Sequence, residues 1–210
     1  MIKRAYAPSE ILQMKKKSFP FDGDWFDAFD NPEQSGVWFI WGNSGNGKSS
    51  FVMQLCRELA RFGKVVFNAL EEAQSKTMQD AISRFGLDAF DGKLSFVCEP
   101  MEHLCERLAR RRGPDFAIID SFQYTRLTYR QYIDIKEANR GKLLIFVSHA
   151  EGKQPAGRAA KSVMYDADLK IHVEGYRARS KGRYIGEKGY IDIWKTKALE
   201  YWGEKTDLEV

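Results

Sequence analysis

The sequence predicts a three-layer α/β fold: a mostly parallel central sheet, covered on both faces by helices and extended by antiparallel strands towards the C-terminus. Three observations predict it. Short, nearly continuous apolar runs recur between stretches with helical spacing, the pattern of parallel strands buried on both faces. One run, Val37-Trp38-Phe39-Ile40-Trp41, passes directly into a glycine-rich turn, Gly42-Asn43-Ser44-Gly45-Asn46-Gly47-Lys48-Ser49-Ser50, and then into a helix. After His149 the pattern changes, and glycines divide short alternating runs as they do in hairpins.

Residues 1–35 precede this core. Lys15-Lys16-Lys17 reads as a solvated helix end. The aromatic run Phe19, Phe21, Trp25, Phe26, Phe29 is too apolar for water and is expected to pack on the sheet edge or on a neighbouring subunit. Residues 37–41 form the first strand. Phe51, Val52, Leu55, Leu59 and Phe62 then fall on one helical face, and Gly63 can end that helix. A strand over 65–70 precedes a helix carrying Met78, Ile82 and Phe85 that ends near Gly86. A strand over 94–97 precedes a helix marked by Met101, Leu104, Cys105 and Leu108. It runs into Arg110-Arg111-Arg112, cations that suit a helix C-terminus. Next come a strand over 116–120, a helix around 129–139 and a strand over 143–148. Residues 150–168 read as a long Gly/Ala/Lys-rich loop with some helical character. Strands over 169–173, roughly 183–185 and 190–194 close the chain, with Gly182, Gly186 and Gly189 as turns.

At 210 residues, 43% of them hydrophobic, the chain suits one α/β domain with a sizeable core and is too short for two large ones. A net charge of +4 permits nucleic-acid binding without arguing for it. Cys56, Cys98 and Cys105 are odd in number and lack metal spacing, so they read as reduced thiols and a cytoplasmic setting is expected. No apolar run approaches a membrane span, and the first residues lack the apolar core of a signal peptide.

The turn carries the chemistry. Gly42-x-x-x-x-Gly47-Lys48-Ser49 is a complete P-loop. Its glycines let successive N–H groups point inward at phosphate oxygens, and the following helix adds its positive end. Residues 42–50 would cradle the phosphates of ATP, with Lys48 reaching the β- and γ-phosphates and the Ser49 hydroxyl holding Mg²⁺. No Asn-Lys-x-Asp guanine motif appears. Four apolar residues carry Asp120 to the C-terminal end of its strand, where open α/β sheets bind ligands and where it can join Ser49 on Mg²⁺. Hydrolysis also needs a group to orient or deprotonate water. Glu71, the first residue free of the 65–70 strand, is placed for that. Glu72 is the alternative, or a helix-start acid that suits the dipole. Ser148-His149 ends another strand at the same edge. His149 either contacts the γ-phosphate or the attacking water, or simply caps its strand.

Together these features resemble the RecA-like ATPase core, the family of RecA and RadA recombinases, DnaB-type helicases, KaiC-like ATPases and small phage single-strand-annealing ATPases. The resemblance covers roughly residues 36–200, makes 36–210 the ATPase domain and 1–35 a packing or oligomerisation segment, and implies a minimal core of the phage recombination type. It implies a ring or filament. It also likens Ile193-Trp194-Lys195-Thr196-Lys197-Ala198 to the Lys-x-Lys end strand of RecA, whose lysines reach the next subunit's nucleotide. Lys195 and Lys197 are then cationic fingers; otherwise they are solvated lysines on an edge strand. The family also gives meaning to the 150–168 loop, where Lys153, Arg158 and Lys161 would neutralise phosphates of single-stranded DNA, and to Tyr124 and Arg126, which offer a stacking ring and a cation. The 176–183 turn adds further positive charge. The expected function is a Mg²⁺-dependent ATPase acting on single-stranded DNA in recombination, annealing, replication or helicase loading. The alternatives are a KaiC-like regulatory ATPase with a protein partner and, third, a small-molecule kinase.

Overall fold

The computed structural model describes residues 4–70 and 75–203. Along the chain run α1 (Pro8–Gln13), α2 (Gly23–Phe29), β1 (Gly36–Gly42), α3 (Lys48–Ala60), β2 (Val65–Ala69), α4 (Lys76–Phe85), β3 (Leu94–Val97), α5 (Met101–Ala109), β4 (Phe116–Asp120), α6 (Phe122–Thr125), α7 (Tyr129–Ala138), β5 (Leu143–Glu151), β6 (Gln154–Pro155), α8 (Arg158–Asp166), β7 (Leu169–Glu174), β8 (Arg177–Ser180), β9 (Tyr190–Asp192) and α9 (Lys195–Trp202). The strands form one sheet in the order β3-β2-β4-β5-β1-β7-β8-β9, with β6 folded back on the end of β5. From β3 to β7 the pairing is parallel; β7, β8 and β9 are antiparallel.

Strand periodicity divides the apolar runs between two cores. On one face Trp38 and Ile40 of β1, Ile118 of β4 and Ile145 of β5 meet α3, whose Phe51, Leu55 and Leu59 are fully buried. On the other, Val37, Phe39 and Trp41 join Ile119 and Phe146 under α5, α7 and α8. The result is the three-layer fold expected. The amino-terminal aromatics belong to the first core. Phe19 stacks on Phe21 at 5.1 Å and meets Trp38 and Phe116 edge-on or tilted at 5.5 and 5.2 Å. They cover the face of the sheet, where β1 and β4 begin, and not its edge. Phe26, by contrast, is exposed.

Four expectations past His149 need correction. The loop expected over 150–168 is a tight β5–β6 turn followed by a helix, α8. Ala160, Val163 and Met164 follow helical spacing and are buried, which outweighs the flexibility of Gly152 and Gly157. The turn expected over 176–183 is largely the strand β8. The hairpin bends at Gly175 and Tyr176, with φ of 53° and 58°, the signature of a two-residue primed turn. Ala178 and Ser180 point into the protein and Arg177 and Arg179 to the other side, an alternation that the row of charges obscured. No strand forms over 183–185 among the described residues. The last strand stops at Asp192, and Lys195 opens a helix. The end-strand reading of Lys195 and Lys197 therefore fails: residues 195–202 are rich in helix formers, and Trp194 serves as the N-cap position.

Candidate functional site

The site lies where the parallel strands end. In register, Gly42 sits opposite His149, and Asp120 lies between Val147 and Ala69. Because β5 stands between β1 and β4, Ser148 and His149 come up directly between the glycine turn and Asp120. The first glycine is dictated by β7: a Cβ on Gly42 would lie 2.2 Å from the Val173 carbonyl oxygen. Gly47 takes the left-handed conformation, φ 91°, that lets the turn swing into α3.

Two asparagines hold the turn. Asn46 Nδ2 donates to the Ser44 carbonyl at 3.1 Å, and its Oδ1 accepts from the Gly175 N–H at 2.8 Å. Its own carbonyl accepts from the Tyr176 N–H at 3.1 Å. Asn43 Nδ2 donates to the Gly152 carbonyl at 3.2 Å. The turn is thus tied to the β7–β8 hairpin on one side and to the β5–β6 turn on the other.

A cavity of about 560 Å³ opens over it. Asn43, Ser44, Gly45, Gly47, Lys48, Ser49 and Ser50 line it, as do Asp120 and His149. Gly42 and Asn46 build the turn from behind. Ser75, Thr77 and Met78 at the start of α4, together with Tyr176, add polar, apolar and aromatic groups to a wall that Met53, Phe67, Ala69 and Ala81 also line. The sequence reading missed the α4 residues and Tyr176 because chain spacing does not bring them to the turn; only the sheet order does. Ser75 also caps α4, accepting from the Met78 N–H at 3.2 Å.

The strand ends are wired through Gln123, which no motif or spacing singles out. Its Nε2 donates to Ser148 Oγ at 2.8 Å and to the Ala156 carbonyl at 3.1 Å, and its Oε1 accepts from the His149 N–H at 3.3 Å. The His149 ring meets Ser121 Oγ at 3.4 Å through Nε2. Burial pushes the Cys56 thiol far up, and the Asp120 carboxylate adds to the shift, so this core cysteine stays protonated and inert.

The hydroxyl of Ser49 and the carboxylate of Asp120 share the cavity, and such oxygen donors fit a hard cation such as Mg²⁺ completed by phosphate oxygens and water. Among the described residues no cluster of three or more His, Cys, Asp or Glu could hold a metal without such help. Glu71 and Glu72 lie outside the described residues. Lys195 Nζ is 4.0 Å from Asp24. Lys197 Nζ sits 4.5 Å over the Trp194 ring and 5.1 Å over Tyr176, next to the cavity but not lining it. Tyr124 and Arg126 are exposed around the end of α6, Lys153 and Arg158 are exposed, and Lys161 is half-buried on α8; none of the five lines this cavity.

A P-loop after a central strand of a sheet in this order is the RecA-like fold. No protein-family model matches the chain, and no curated protein sequence does. Solved structures do match. The flagellar accessory protein FlaH from Methanocaldococcus jannaschii superposes with a TM-score of 0.59 over 85% of this chain and 92% of its own, at 13% identity. At that identity the likeness is one of fold. Among the described residues no helix is long and apolar enough to cross a membrane.

Proposed function

We propose that the chain is a Mg²⁺-dependent ATPase that acts on single-stranded DNA. The observation that carries the ATPase part of the reading is the convergence of Lys48, Ser49, Asp120 and His149 on one cavity at the strand ends; the DNA part rests on the resemblance and on the cations named below. Backbone N–H groups of the turn and the first turn of α3 would bind the phosphates, and Lys48 would neutralise charge that develops between β- and γ-phosphates. Mg²⁺, held by Ser49 and Asp120, would supply further charge neutralisation on the same oxygens. Glu71 would orient the attacking water, and His149, held by Gln123 and Ser121, would sense the γ-phosphate and pass the change to the β5–β6 turn. DNA would meet Lys153, Arg158 and Lys161, with Tyr124 and Arg126 beside them. A ring or filament belongs to the same proposal, with exposed Lys195 and its neighbour Lys197 reaching the next copy's nucleotide from a helix start.

Two observations favour a second reading, a regulatory ATPase with a protein partner. One structural neighbour is named a flagellar accessory protein, and this chain exposes Ile11 and Leu12 on α1, at 56% and 86%. Phosphate release from Mg²⁺-ATP with and without single-stranded DNA, with Lys48→Ala as the blank, separates the two. Stimulation that is lost at high salt supports the DNA reading. Turnover indifferent to DNA supports the protein-partner reading. No turnover above the blank in either condition sinks both.

A further inference from the structure

The helical cover of the second core stops at β1. Beyond it the face formed by Lys170, His172 and Glu174 of β7 and by Arg177 and Arg179 of β8 joins neither core cluster. A second cavity, about 440 Å³, lies on this face between the β5–β6 turn, α8 and α9. Its wall carries four permanent cations, Lys153, Lys170, Arg179 and Lys181, against one carboxylate, Glu174. Aromatic rings stand among them. The Arg179 guanidinium stacks 4.2 Å from the centre of the Trp202 ring. Tyr165 is 72% exposed on α8, and Lys161 and Arg158 precede it by one and two turns on the same helix face.

The four cations against one carboxylate make this surface suited to an anion. Arg179 Nε is buried and finds no hydrogen-bond partner among the described residues, while its guanidinium packs over the Tyr190 and Trp202 rings. Burial holds the His172 ring below its ordinary range; Glu174 opposes this, and the charges of Lys181, Arg179 and Lys153 add to the lowering. A protein-binding surface has a charge-depleted, apolar centre and few lysines. Here cations sit at the centre and the rings stand between them, the arrangement that suits a chain of phosphates and bases.

We propose that this second cavity is a docking groove for single-stranded nucleic acid, with phosphates on Lys153, Lys170 and Lys181 and a base on Tyr165; the inference rests on the DNA reading above and gives it a location. The groove is back-to-back with the nucleotide cavity. Trp41 lines the groove and donates from Nε1 to the Lys153 carbonyl at 3.1 Å, while Asn43, two residues on, lines the nucleotide cavity and donates to Gly152. Glu174 lines the groove and Tyr176 the nucleotide cavity, across the turn that Asn46 holds. Occupancy of either cavity therefore bears on the same three chain segments.

The test uses the full chain and a labelled oligo-dT, followed by fluorescence anisotropy over a salt series, with and without a non-hydrolysable ATP analogue. Lys170→Glu/Lys181→Glu and Tyr165→Ala are compared with the parent, and unchanged melting and analogue binding establish that each variant is folded. The expected result is at least about tenfold weaker binding for the double variant, with a salt slope smaller by about 1.4 for two lost phosphate contacts. Tyr165→Ala is expected to bind about tenfold more weakly with its slope intact. Parent-like binding by the double variant overturns the groove and leaves the DNA reading standing. Absence of oligo-dT binding by the parent protein overturns both, and binding of a polyglutamate peptide would then assign the cations to an acidic protein segment.

Discussion

Gly42 shows how one residue answers to a distant strand. Its Cβ position is taken by a backbone oxygen of β7, which cannot rotate away as a side-chain tip could. Gly42→Ala is expected to destabilise the fold by about 1–3 kcal/mol, measured by urea unfolding, and to weaken nucleotide binding with it. The motif was legible because its residues are contiguous and each glycine has a local reason. Asn46 and Gln123 were not, since their partners lie 129 and 25 residues away and no spacing rule relates them. The two glutamates after β2 are distinguished by turnover: Glu71→Gln is expected to lower it by about a hundredfold or more, and Glu72→Gln to change it little. A parent-like rate for Glu71→Gln removes it from the catalytic assignment.

Among the elements, α8 and β8 were the ones hardest to read. Both are short, both carry two cations, and glycines precede each, so composition argued for loops while burial spacing argued for structure. The parallel strands were legible because burial on both faces leaves no polar position to confuse them. Once formed, α8 is clamped to α7. Asp166 accepts from Tyr132 Oη at 2.5 Å and from Lys136 Nζ at 2.7 Å. Burial pushes this carboxyl up, but the hydrogen bonds from Lys136 and Tyr132 outweigh it and hold the carboxyl below its ordinary range. On acidification the unfolded chain therefore takes up the proton first. The contribution is complete above the ordinary carboxylate range and is lost as pH falls through the lower folded value. Asp166→Asn is expected to cost about 1–3 kcal/mol at neutral pH and to flatten the acid limb of stability. An acid limb unchanged in chemical denaturation between pH 7 and pH 3 (pH values about those of an ordinary titration series) would contradict this.

For the whole molecule, the sheet order brings together what the sequence lists apart. Strands β1, β4 and β5 come from three parts of the chain, and their ends form one cavity only because β5 inserts between the other two. If a neighbouring copy supplies Lys195 to that cavity, turnover per molecule should fall on dilution; a constant specific activity over about a hundredfold range, set against the weakening expected of a bimolecular contact, removes the trans role. The clamp that Asn46 makes on Gly175 has a further consequence. A glycine-rich turn left to itself would sample many backbone states and would have to surrender that entropy when a ligand arrived. Here the hairpin has already ordered it, so nucleotide should enter at the pace of simple encounter, without a slow closing phase, and the Gly175 amide should resist hydrogen exchange even in the ligand-free protein.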